Sequence, residues 1–211
     1  MATCIIGKML DHAYVSFWVA DPAPEKLLGQ FLRLLLTLPH SASQPGFGEL
    51  ALRAVDTTEA PLIEKDLRGS GLGPLDIIEI IRPEFGEDTA CELECSWDFG
   101  SYNAETEKWE LQAQRVEIVC RGERFDDDIA LHSGHLQMDL GFEHLFTGED
   151  DGGEAPGGRS LSAIEMRRQN IKRLYAWVED VTGKLGVAKY KLWSEGEGNV
   201  EARLDEILAR R

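Results

Sequence analysis

Two cysteines, Cys91 and Cys95, stand in the stretch 89–99 (TACELECSWDF), and thiols are the natural ligands of zinc and the natural redox pair. Their setting argues against both. Thr89, Cys91, Leu93, Cys95, Trp97 and Phe99 alternate with Ala90, Glu92, Glu94, Ser96 and Asp98, the period-two pattern of a strand with one buried face. Residues four apart on a strand lie roughly 13 Å apart. A disulfide needs Cα atoms within about 7 Å, and one zinc needs both sulfurs at about 2.3 Å. Cys91 and Cys95 are therefore expected buried, reduced and unpaired, packing as small apolar side chains.

Other candidate chemistry is weaker. His132, His135 and His144 suggest zinc, but His135 and His144 have opposite strand parity, and no cluster completes three or four ligands. No metal is expected. Gly69-Ser-Gly-Leu-Gly73 has glycines suited to a phosphate loop. The segment before it, 63–68 (IEKDLR), is too charged for the buried strand that a dinucleotide fingerprint follows, and the last glycine is missing. Thr182-Gly183-Lys184 lacks the rest of a P-loop, so no cofactor is expected. Asp126-Asp127-Asp128 and Glu149-Asp150-Asp151 lack the alternating ligands of an EF-hand and read as solvated turns. No nucleophile motif is present.

What remains is a charged surface. A second strand keeps Trp109, Leu111 and Ala113 in one phase and Val116, Ile118 and Cys120 in the other, which predicts a β-bulge near Gln114–Arg115. The hairpin would turn across 100–108. Phe99 then faces Trp109, Trp97 faces Leu111 and Cys95 faces Ala113. Beyond the bulge Leu93 faces Val116, Cys91 faces Ile118 and Thr89 faces Cys120. Outward, Asp98 faces Glu110 and Glu92 faces Glu117, and a third strand, 135–146, adds Asp139 and Glu143. Like charges directly opposite on a sheet are destabilising, and only Arg115 and His135 relieve them. The candidate site is this acidic face: Glu92, Glu94, Asp98, Glu110, Glu117, Asp139 and Glu143. It suits docking of a basic protein. The competing reading is a face solvated or paired internally, with the basic helix 167–173 as its cover.

The elements that position these residues follow from pattern. Residues 14–20 read as a buried strand. Asp21 caps a helix with Pro22 and Pro24 in its first turn, running to about Leu38. Leu27, Phe31, Leu34, Leu35 and Leu38 form its core face, and Leu28, Leu32 and Leu36 widen it. Residues 49–55 alternate as a strand, and 74–82 read as a helix behind Pro74. Ser162 and Glu165 form a capping box for a helix whose stripe is Ile164, Ile171, Leu174, Val178, Val181 and Leu185. A strand at 188–193 and a helix at 199–209 end the chain. The expected fold is α+β: an antiparallel meander with helices on its apolar face, and a C-terminal helix-strand-helix. The whole of 1–211 reads as one domain, with an acidic body at 1–147, a Gly- and acid-rich loop at 148–160 and a basic segment at 161–211.

The 211 residues carry a net charge of −16. Residues 1–158 hold 11 Lys and Arg against 30 Asp and Glu, a net −19, and 159–211 hold 11 against 8, a net +3. Such a field repels nucleic acid and anionic lipid. The most apolar run, 27–38, spans about 18 Å as a helix, too short for a bilayer. The start lacks the apolar core of a signal peptide, which with four cysteines in no framework suggests a reducing, cytoplasmic setting. The leading expectation is a non-enzymatic protein-binding module, immunity- or inhibitor-like in class though not by motif. The alternatives are an enzyme with a carboxylate-lined pocket, and a structural module that oligomerises through the 164–185 stripe.

Overall fold

The computed structural model describes residues 11–148, 161–196 and 199–209. The chain runs β1 (His12–Val19), α1 (Pro24–Thr37), β2 (Phe47–Ala54), β3 (Ile63–Asp66), α2 (Pro74–Ile81), β4 (Thr89–Asn103), β5 (Lys108–Arg121), α3 (Ala130–Ser133), β6 (Leu136–Phe142), α4 (His144–Thr147), α5 (Leu161–Lys184), β7 (Val187–Ser194) and α6 (Val200–Ala209). The fold is α+β. One seven-stranded sheet has the order β3-β2-β4-β5-β6-β1-β7, and every pairing in it is antiparallel. The expected meander is β4-β5-β6; β1 then inserts between β6 and the late strand β7.

One face of the sheet is covered. Leu27, Leu28, Phe31, Leu34 and Leu35 of α1 are buried there, as are Ile77, Ile78 and Ile81 of α2, and Ile171, Leu174, Trp177, Val178 and Val181 of α5. They meet Val15, Phe17, Leu50, Leu52, Cys91, Leu93, Trp97, Ile118, Met138 and Leu140 from the strands in one continuous core. Trp177 lies edge-on to both Phe17 and Trp97. Alternation along each strand decides which side chains join this core.

Several expectations need correction. The hairpin register is unbroken from Ala90↔Arg121 to Asn103↔Lys108, with no bulge near Gln114. Cys91 faces Cys120, Cys95 faces Val116 and Trp97 faces Gln114. Trp109, Leu111 and Ala113 therefore lie on the opposite face to Val116 and Ile118. They are apolar because the tip of the ribbon is partly covered there: the Arg167 guanidinium lies over the Trp109 ring. Leu111 is 48% exposed. The segment 63–66, expected not to be a buried strand, forms an exposed edge strand, which its charge allows because a strand paired on one side keeps its other surfaces in water. Ala23, not Asp21, occupies the cap position of α1, while Asp21 accepts a bond from Ala23 N–H (3.3 Å). Leu36 and Ile164 are exposed rather than inward. Ser162 lies inside α5, so it does not cap it. The third strand stops at Phe142, where Gly141 takes a left-handed φ of 79°. Cys4, the acid run 149–151 and nearly all of the 148–160 loop lie outside the described residues.

Beyond the end of β2, no strand lies beside the outer edge of β4 among the described residues. Ser41 N–H donates to Ser96 O (2.7 Å) and His40 bridges Trp97. Further along, Asn170 of α5 takes over. Gly100 N–H donates to Asn170 Oδ1 (2.7 Å), and Asn170 Nδ2 donates to Gly100 O (3.0 Å) and Leu145 O (2.9 Å). One carboxamide thus supplies the pairing that a missing strand would. A Cβ on Gly100 would stand 3.0 Å from the Met166 Cβ, so a larger residue would push α5 outward and glycine is favoured here.

Candidate functional site on the open sheet face

The face opposite the helices is partly open: Arg115 is exposed, Tyr14, Glu92, Glu94, Ser96, Glu117 and Asp139 are half-buried, and Ser16, Val119 and Gln137 are buried. Parity places Glu92, Glu94 and Ser96 of β4, Arg115, Glu117 and Val119 of β5, Gln137 and Asp139 of β6, and Tyr14 and Ser16 of β1 on it. The registers then align them across the strands. Glu94 faces Glu117, Glu117 faces Asp139, Asp139 faces Tyr14 and Tyr14 faces Trp193. Three carboxylates stand side by side on three neighbouring strands, followed by two aromatic rings. Tyr14 and Trp193 stack with centroids 4.4 Å apart. The Tyr14 hydroxyl donates to Glu195 (2.7 Å).

Cations from surrounding elements reach into the row. Arg115, one step along β5, contacts both Glu94 and Glu117. Arg68, after β3, reaches Glu94 (3.1 Å), Glu49 (3.2 Å) and Asp66 (3.2 Å). Arg53 of β2 binds Glu92 (3.1 Å). His12 Nδ1 lies 2.7 Å from Asp139. Three arginines thus share five carboxylates, Glu49, Asp66, Glu92, Glu94 and Glu117, while His12 reaches Asp139, and the patch keeps an acidic excess. Glu94 is held deepest, with 12% of its side chain exposed. Gly48 of β2 makes room for it, since a Cβ there would sit 2.9 Å from Glu94 Oε2. Beside it opens a cleft of about 500 Å³ lined by Gln44, Phe47, Arg68, Glu94, Ser96 and Arg115.

Glu117 is the unusual member. Partial burial, then the charges of Glu92, Asp139 and Glu94, push its carboxyl above the ordinary range, and Arg115 offsets only part of this. Its side chain remains 40% exposed. Glu117 is thus an accessible carboxylate whose charge is poorly compensated.

Of the seven expected site residues, the structure brings four together: Glu92, Glu94, Glu117 and Asp139. Asp98 shares their parity but faces Ala113, and its Oδ2 accepts a bond from Ala42 N–H (3.0 Å). Glu110 faces Ser101 on the other side of the ribbon and accepts a bond from Asn103. Glu143 follows β6 and is buried, paired with Arg203 of α6 (2.9 Å). His135 does not relieve the acids, because its Nδ1 accepts from Val19 N–H (3.2 Å). Nor does the basic helix cover them. Arg167 lies over Trp109, Arg168 donates to Ile207 O (3.3 Å) and Arg173 to Asp98 O (3.4 Å). Of the missed partners, Arg53 was readable from the alternation of 49–55. Arg68 and His12 arrive from distant segments and carry no local signal.

The three cysteines described, Cys91, Cys95 and Cys120, are free and buried. Burial raises all three thiols, Cys95 to about 12. Among the described residues no group of three or more His, Cys, Asp and Glu could hold a metal ion. Among them, too, no helix is long and apolar enough to cross a membrane. No known protein family matches this chain, and no curated protein or solved structure matches it.

Proposed function

We propose that this chain is an acidic protein-binding module whose open sheet face docks a basic partner. The observation that carries the reading is the row Glu94–Glu117–Asp139, three carboxylates directly opposite one another on adjacent strands. Such an arrangement works against folding, and a cationic partner would relieve it. The neighbouring Tyr14–Trp193 stack supports the same occupant, because aromatic faces attract lysine and arginine. Complementary charge of this kind mainly speeds encounter and weakens with salt.

The test is capture from native lysate on immobilised wild type and on a Glu117→Gln/Asp139→Asn variant, with salt elution and identification by mass. The reading expects basic proteins retained by the wild type, released by salt and depleted at least tenfold on the variant. Equal retention on both columns removes its support.

A further inference from the structure

One end of the open face is roofed by the segment 122–134. Phe125, fully buried, packs with Ile129 on Ala90 and Val119 in a second small apolar cluster. Asp126 N–H donates to Val55 O (2.8 Å), and Leu131 O accepts from Trp18 Nε1 (3.1 Å). Beneath this roof Arg121 and His135 extend the β5–β6 register by one position, with Arg121 N–H donating to His135 O (2.8 Å). Parity puts both side chains on the open face, opposite each other.

Neither side chain is satisfied. His135 is 6% exposed. Its Nδ1 accepts from Val19 N–H, so the proton of the neutral ring sits on Nε2, and that N–H is buried with no acceptor. Arg121 Nη1 is buried with no acceptor either, and its guanidinium makes no ion pair or side-chain hydrogen bond among the described residues. Burial lowers its pKa, against the pull of Cys120, Glu92, Glu117 and Asp126. Arg121 is half-buried with its Nη1 enclosed, and an enclosed cationic donor without a contact partner is costly and favours a counter-charge. A water molecule could accept from both donors. The guanidinium would then still lack a counter-ion in contact.

We propose that Arg121 and His135 bind a small monocarboxylate anion beneath the 122–134 segment. A carboxylate presents two coplanar oxygens to a guanidinium, and a single negative charge matches the single positive one. The imidazole N–H supplies a third donor. A dianion would leave surplus charge near Glu92, Glu117 and Asp126, so phosphate is disfavoured. The same three acids, and Glu123 near His135, weaken the site for any anion. In the roof Asp126, Asp127 and Asp128 are consecutive left-handed residues, with φ of 49°, 51° and 63°, a conformation that Asp and Asn tolerate best among non-glycine residues.

Thermal unfolding with sodium acetate, against sodium chloride at matched ionic strength, tests the site. Acetate should raise the wild-type Tm saturably, by about 4 °C at a tenfold excess over Kd, while chloride should not. Arg121→Met should abolish the increment. Asp126→Asn removes one repelling charge at a backbone position that asparagine tolerates, and should lower the acetate Kd at least threefold. No acetate response, an equal chloride response, or an increment that survives Arg121→Met overturns the proposal, as does an unchanged Kd in Asp126→Asn. Should Arg121→Met fail to fold, His135→Phe decides: retention of the full response overturns the site.

Discussion

On the covered face, the fully buried Asn170 uses its carbonyl oxygen and its amide hydrogens on Gly100 and Leu145. On the open face, carried by the same hairpin, Arg121 and His135 leave buried donors unused, and Glu94, Glu117 and Asp139 crowd like charges together. The contrast separates two uses of polar groups. A satisfied polar group in the core fixes how elements join. Unsatisfied or repelling groups on a face reduce stability, and they stand where something from outside the chain could complete them.

The largest expected effect breaks the covered side. Asn170→Leu strands Gly100 N–H, Gly100 O and Leu145 O, each costing about 1–3 kcal/mol when buried and unpaired. Urea denaturation should show a loss of about 3 kcal/mol or more, and a loss under 1 kcal/mol would mean that water replaces the amide. The core also shields the thiols. Cys91, Cys95 and Cys120 should label at least about a hundredfold more slowly in the native state than in urea, because exposure requires opening. Rapid native labelling of any of them would place it outside the core.

Smaller effects sharpen the open side. Glu117→Gln should stabilise the fold at pH 7 by about 0.2–1 kcal/mol, the scale of one opposed like-charge pair. The sign follows from the raised folded pKa. Below the unfolded value of about 4.3 both states hold the proton and the variant gains nothing. As pH rises through the folded value, the wild type loses stability and the variant's advantage grows to its full size. A Gln variant that is less stable at pH 7 would show Glu117 to be well paired. Smallest of all, Arg68→Ala should change stability little, since its side chain is 55% exposed and its ion pairs are screened by water. It should nevertheless enlarge the acidic excess and quicken capture of a basic protein, measurable as the association rate at low salt.

Alternation made β4 and its burial readable, because a one-face pattern runs without interruption from Thr89 to Phe99. It misled at Trp109, Leu111 and Ala113. Period two tells that a face is covered, but not which face, and near the hairpin tip Arg167 of α5 covers the side opposite the core. The acid row was legible as a population of outward carboxylates. Its membership depended on register, and so Glu110 and Asp98 fell away from it. Glu143 was lost because Gly141 turns the chain out of the strand, and parity ends where the strand does. Arg68, His12 and Asn170 meet the sheet from far along the chain, and no local pattern announces such meetings.

The central claim is that the Glu94–Glu117–Asp139 row recruits a basic protein through its charge. The most direct measurement is the association rate of a captured basic partner with wild type and with Glu117→Gln/Asp139→Asn, from low salt to 1 M, where the Debye length falls to about 3 Å. The account predicts a rate at least tenfold higher for the wild type at low salt, converging with that of the variant at 1 M. Equal rates at every salt concentration, with the variant folded and no less stable, would contradict it.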